Sequence, residues 1–148
     1  MIWKPNVTVA AVICKDDRYL LVEEQTINGL IFNQPAGHLE PNESILQGVI
    51  RETLEETGYT FTPQWLLGIY RWHSPVNDTT YLRFTFLGTA ICHDHNRKLD
   101  KGIVRAAWFH TNEIYELAHR HRSPMVIKCI EDHLAGKRYP LELLTYYD

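Results

Sequence analysis

Glu52, Glu55 and Glu56 stand at positions i, i+3 and i+4, directly after Arg51. In a helix, at ~100° per residue, they fall within an arc of roughly 100°. Each close pair of like charges costs about 0.2–0.5 kcal/mol on an isolated helix. One guanidinium does not neutralise three anions, whereas a hard divalent cation takes oxygen ligands and complements them. A cation held there would neutralise phosphate oxygens, orient a water and lower its pKa, so the chemistry indicated is hydrolysis at phosphorus. Gly48, one turn earlier on the same face, reads as space for a bulky ligand beside the carboxylates. Taken alone, a Glu-Glu pair on a helix is an ordinary solvated face bridged by one arginine.

The elements that must position these groups are legible around them. Asn42 or Ser44 caps a helix, Glu43 suits its positive end, Ile45, Leu46, Val49 and Ile50 recur at helical spacing, and Gly58 stops it. Upstream, residues 7–14 read as a buried strand, 19–23 as a second and 30–32 as a short third after the Asn28-Gly29 turn. Residues 33–40 hold Pro35 and Gly37 and read as an irregular loop. Downstream, residues 65–72 and 81–90 form the arms of a hairpin. Leu82, Phe84 and Phe86 share one face of the second arm; Arg83 alternates away from it, toward a phosphate, solvent or an ion pair. Trp72 is either core or a stacking platform for a flat ring.

Beyond the hairpin, the polar stretch 92–102 contains His93-Asp94-His95, which lacks a third ligand and predicts no metal site. Asp100 precedes a strand over 103–109. Thr111 caps a short helix to about residue 118 whose first turn holds Glu113, a further carboxylate in this half of the chain. Arg120-His121-Arg122 reads as a solvated basic linker, and Ser123-Pro124 opens an apolar helix that ends at Gly136. The tail 137–142 is expected to be extended and to pack back on the rest.

The chain has 148 residues, enough for one ordinary domain over 1–148, and its hydrophobic content of 45% and charged content of 22% are globular values. A net charge of −3 argues against a nucleic-acid partner, and no run approaches the ~18 apolar residues of a membrane span. Cys14, Cys92 and Cys129 have no metal-type spacing and suggest a reducing compartment, so a cytoplasmic location is expected. Strand-rich segments, one long helix, a hairpin, a further strand and then helices suggest a mixed sheet covered on both sides.

The full spacing, Gly37-x5-Glu43-x7-Arg51-Glu52-x2-Glu55-Glu56-x-Gly58, resembles the box of the Nudix hydrolases over residues 37–59, with Thr53 and Tyr59 departing at packing positions. Residues 3–10, 33–40, 82–84, 122–124 and 138–142 further resemble the NudJ-type phosphatase branch. The resemblance implies an α/β (α+β) fold, an α/β/α sandwich with a mixed β-sheet. It also implies Mg²⁺ as cofactor, with Mn²⁺ as a substitute, and hydrolysis of nucleoside tri- and diphosphates, thiamine diphosphate or hydroxymethylpyrimidine diphosphate. A nucleoside diphosphate sugar such as ADP-ribose is the alternative substrate. The metal set so implied is the Gly37 carbonyl with Glu52, Glu55 and Glu56. Arg51 then orients a glutamate, Glu55 or Asp100 serves as general base, and His38, Trp72 and Arg83 are candidate substrate contacts. The partner expected is a small-molecule diphosphate, and the oligomeric state a monomer or homodimer.

Overall fold

A computed structural model describes residues 1–147. Seven strands form one mixed sheet: β1 (Asn6–Lys15), β2 (Arg18–Thr26), β3 (Gly29–Asn33), β4 (Ala36–His38), β5 (Thr60–Ser74), β6 (Thr79–Ile91) and β7 (Ile103–His110). Their spatial order is β3-β2-β1-β6-β5, with β4 on β1 and β7 on β2. β1 and β6 are parallel, and the other pairs are antiparallel. The helices are α1 (Ile45–Thr57), α2 (Thr111–Glu116) and α3 (Met125–Leu134).

The continuous apolar run of β1 is explained by burial on both faces. Val9, Ala11 and Ile13 join Val49 of α1, Phe61, Leu66 and Phe86 in one hydrophobic cluster. Val12, facing the other way, joins Tyr19, Leu67, Ile114 of α2 and Cys129 and Ile130 of α3 in a second. The sheet therefore lies between α1 on one side and α2 with α3 on the other, the α/β/α sandwich that the sequence implies.

β1 serves two neighbours along one edge. Its first half pairs with β4, through Thr8–His38, Val9–Gly37 and Ala10–Ala36, whereas its end pairs with β2 at Cys14–Tyr19 and Lys15–Arg18. α1 packs against β1, β4 and β5. The stretch read as irregular thus contains a three-residue strand; Gln34 and Pro35 supply the bend into it, with Gln34 donating from Nε2 to the Val126 carbonyl at 2.9 Å.

Several local expectations change. Ser44, not Asn42, caps α1: its hydroxyl accepts from the Gln47 N–H at 3.1 Å, while Asn42 turns the chain at φ 65°. The short helix starts one residue early, with His110 at its cap position and Glu113 accepting the His110 N–H, which ties that carboxylate down away from α1. Arg120 and Arg122 are not a solvated linker: Arg120 bonds Glu23 at 2.6 Å and lies over Phe32, and Arg122 pairs with Glu24 at 3.1 Å. The tail does return: Tyr139 and Leu66 exchange backbone hydrogen bonds, and Arg138 covers Trp65. Among the described residues no helix is long and apolar enough to cross a membrane.

Candidate active site

The capping box fixes where α1 begins, and Gly58, left-handed at φ 76°, fixes where it ends. Between them the helix sends Arg51 and its glutamates toward β4. Gly37 is required by this approach, because a Cβ there would fall within the Glu52 carboxylate. Gly48 does not open space for a ligand: a Cβ on it would lie 3.0 Å from Glu43 Oε1 and 3.1 Å from Leu39 Cδ1, so its role is to let Glu43 fold over the helix.

Arg51 holds more than the single glutamate expected of it. Its Nε and Nη2 donate to the two oxygens of Glu43 at 2.9 and 2.8 Å, a bidentate pair. Nη1 donates to Glu52 Oε1 at 2.8 Å and Glu55 Oε1 at 2.7 Å, and Nη2 also reaches the His38 carbonyl at 3.0 Å. Glu43 is itself fixed by the Glu40 N–H at 2.8 Å. The guanidinium thereby ties the loop, the helix start and two carboxylates together.

Asp100 arrives from the far loop, its N–H donating to the Glu55 carbonyl at 3.0 Å. Glu52, Glu55 and Asp100 each offer a carboxylate oxygen within 4.8 Å of the others. Glu56 is not in that trio; its Oε1 accepts the Ala36 N–H at 2.9 Å and it lines the adjoining cavity together with Glu52. Glu52, Asp100 and Glu56 are held above the ordinary carboxylate range. Burial raises Glu52 despite Arg51, burial and then Glu55 raise Asp100, and burial pushes Glu56 up to about 9. Glu43 goes the other way, held low by its hydrogen bonds from Arg51. Acids crowded and partly desolvated around one cation lack positive charge, and a set of hard oxygen donors fits a divalent metal ion.

The backbone carbonyl that faces this cluster is not that of Gly37. Leu39 N–H donates to Val7 and Ala11 N–H to Pro35, so the ladder's alternation turns the N–H and C=O of Gly37 toward Val9 of β1. Ala36 and His38 face outward instead, as their bonds to Glu56 and Arg51 confirm. The carbonyl on the acidic edge is therefore that of Ala36.

A cavity of about 560 Å³ opens beside the cluster, lined by Glu52, Glu56, His38, Trp72, Tyr81 and Arg83 among others. Its size is that of a small-molecule site, typically about 300–1,000 Å³. Trp72 is half-buried and runs parallel to Tyr81, its cross-strand partner, with ring centroids 6.0 Å apart at 18°. His38 is exposed, its ring 6.4 Å from that of Tyr81. Arg83 is 2% exposed, which overturns the solvated reading: the face of β6 opposite Phe84 and Phe86 is covered by α3. Of the residues expected at the site, Glu52, Glu56, His38, Trp72 and Arg83 line this cavity, whereas Glu55 and Asp100 meet Glu52 in the acidic trio and Arg51 bonds Glu52 and Glu55. The structure adds Tyr81 and Asn33, which no sequence pattern singled out as contacts, because only strand register and the position of α3 put them there. His93 stays apart, stacked on Tyr59 with Nε2 3.1 Å from the Thr57 carbonyl oxygen.

A family model described as the NUDIX domain matches residues 4–128. The chain is 39% identical over 145 residues to a protein described as phosphatase NudJ in Escherichia coli K12, covering 96% of this chain and 92% of that protein. A solved NUDIX hydrolase from Nitrosomonas europaea superposes with a TM-score of 0.96 at 61% identity, covering 97% of this chain and 98% of that one. A UDP-X diphosphatase structure superposes at 0.76 with 20% identity over 95% of this chain and 68% of that one, a likeness of fold alone.

Proposed function

The chain belongs to the NUDIX family and is a hydrolase of phosphoric anhydride bonds, and on that premise we propose that it is a Mg²⁺-dependent phosphatase of small organic diphosphates. The observation that carries the reading is the convergence of Glu52, Glu55 and Asp100 beside a ring-lined cavity. Glu52, Glu55 and Asp100 would hold the metal, with the Ala36 carbonyl facing it and Glu56 completing the acidic wall. When bound, the ion supplies charge neutralisation at the phosphate and a water of lowered pKa, with Mn²⁺ a workable substitute.

The remaining work belongs to the chain's own residues. Arg51 orients Glu52 and Glu55 from one nitrogen and anchors that nitrogen's position through Glu43. Asp100 forms no hydrogen bond or ion pair with Arg51 among the described residues, so its second carboxylate oxygen, the one not offered to the metal, is the proposed acceptor of the water proton; Glu55, already bonded to the guanidinium, is the alternative. His38, Trp72 and Arg83 line the cavity where the substrate's organic part would lie. The preferred substrates on this reading are nucleoside di- or triphosphates and the diphosphates of thiamine or its hydroxymethylpyrimidine precursor. Three free cysteines are consistent with a cytoplasmic setting.

Product analysis tests the reading. Incubation with Mg²⁺ and this panel, plus ADP-ribose, is expected to release orthophosphate from the diphosphates. Cleavage of ADP-ribose alone, into AMP and a sugar phosphate, would replace the phosphatase reading with that of a nucleoside diphosphate sugar hydrolase.

A further inference from the structure

Arg83 is a charge buried without an ion-pair partner, and Glu56 acts on it only at longer range. Its Nη2 donates to Asn33 Oδ1 at 3.0 Å and its Nη1 lies 3.8 Å from Cys129 Sγ, both neutral groups. No carboxylate among the described residues forms an ion pair with it. A guanidinium has five N–H donors, so most of its hydrogen-bonding capacity is unused here, and burial drives its pKa downward. Burying an unpaired cation is costly, and an apolar side chain would pack more favourably in that place. Arg83 also lines the cavity, so an anion entering it can supply what the fold does not.

Strand register gives the order of groups along the cleft. Tyr81, Arg83 and Thr85 share one face of β6 at intervals of about 7 Å. Tyr81 is paired with Trp72, which sets the level of the aromatic rings. Arg83 is level with Thr8 and His38. Thr85 is level with Ala10 and Ala36, and Ala36 is the residue bonded to Glu56. The cleft therefore presents rings, then a buried cation, then the carboxylates. A diphosphate ester of a flat ring has the same sequence of groups: ring, inner phosphate, terminal phosphate.

We infer that Trp72, Tyr81 and Arg83 form a subsite for the monophosphate ester of a flat heterocycle, the half of the substrate that keeps its phosphate after hydrolysis. This rests on the phosphatase reading and assigns its orientation. The water oxygen bonds to the terminal phosphorus, and the bond from that phosphorus to the bridging oxygen breaks. The bridging oxygen and its electron pair stay with the organic monophosphate, and the water proton passes to the carboxylate wall before leaving with products. Arg83 meets the inner phosphate in substrate and product alike, so the organic monophosphate is held after orthophosphate has gone.

The test begins with the unaltered protein and Mg²⁺, comparing thiamine monophosphate, a nucleoside monophosphate, methyl phosphate and inorganic phosphate as inhibitors of diphosphate hydrolysis. The ring-bearing monophosphates are expected to compete with substrate at Ki values about tenfold or more below that of inorganic phosphate. Arg83→Gln is expected to raise KM and the Ki of every organic monophosphate about tenfold while moving the Ki of inorganic phosphate little, with partial recovery in Arg83→Lys. Trp72→Ala, on the half-buried hairpin, should weaken the ring-bearing monophosphates and leave methyl phosphate unchanged. Equal inhibition by all four compounds in the unaltered protein overturns the subsite, as does an Arg83→Gln protein with unchanged Ki values. Absence of turnover for every anhydride with Mg²⁺ present would instead remove the underlying phosphatase reading.

Discussion

Arg51 donates to Glu43, Glu52, Glu55 and the His38 carbonyl, and the carboxylate bonds, that to Glu43 first, carry its guanidinium above the ordinary arginine range. A single cation shared so widely fixes the carboxylates' positions and leaves their charge uncompensated. Gly37 is the companion device, since the space its missing Cβ leaves is filled by Glu52. Gly37→Ala is therefore expected to displace that carboxylate and weaken Mg²⁺ binding about 10- to 100-fold, with little change in melting temperature. Calorimetric metal titration beside a thermal melt checks this, and unchanged affinity would contradict the assigned role of Glu52. The carboxylates were readable from the sequence because three of them share one helix, where spacing alone determines the face. Arg83 was read only as pointing away from the apolar face. Its burial depends on Cys129 and Asn33, which are 46 and 50 residues away, and no local pattern carries that information.

At the scale of elements, α1 is set by its ends. The Ser44 hydroxyl and the Gln47 side chain satisfy each other's backbone N–H groups. Ser44→Ala should cost about 1 kcal/mol, lowering the melting temperature by roughly 2–4 °C. Activity per folded molecule should persist, since the metal-facing turn lies further along the helix. β2 and β7 are joined to the segment before α3 through Glu23, whose carboxylate accepts from Arg105 at 2.9 Å and Arg120 at 2.6 Å. Those bonds hold its pKa below the ordinary 4.5. The unfolded chain then binds more protons in the window below 4.5, so the stability this cluster contributes is present at neutral pH and lost as the pH falls through that window. Urea titrations at pH 7 and below pH 4 should show a smaller acid loss in Glu23→Gln than in the unaltered protein. Equal losses would assign the acid sensitivity elsewhere. The sequence marked Arg120 and Arg122 as basic but not what they meet, because Glu23 and Glu24 come to them through the β2–β7 pairing and the return of the chain past β3.

Over the whole molecule, the sandwich brings β4, α1 and the β5–β6 hairpin to one cleft and sets the loop holding Asp100 against Glu52 and Glu55. A mixed sheet covered on both sides followed from the order of strand and helix signals, and the α/β/α sandwich from the family resemblance; the division of β1 between β4 and β2 did not follow from either, because residues 33–40 look like a loop until they find a partner strand. Crowded acids beside that cleft make folding and metal binding linked. Mg²⁺ at about 100 times its Kd should stabilise the protein by roughly 2.7 kcal/mol, and the gain should disappear in Glu52→Gln. The central claim is tested most directly by orthophosphate release from thiamine diphosphate and nucleoside diphosphates, measured with Mg²⁺ and after chelation, in the unaltered protein and in Glu55→Gln. The account predicts Mg²⁺-dependent release that falls about a hundredfold or more in Glu55→Gln at unchanged melting temperature. Release that survives chelation, or a Glu55→Gln protein of near-normal rate, would contradict it.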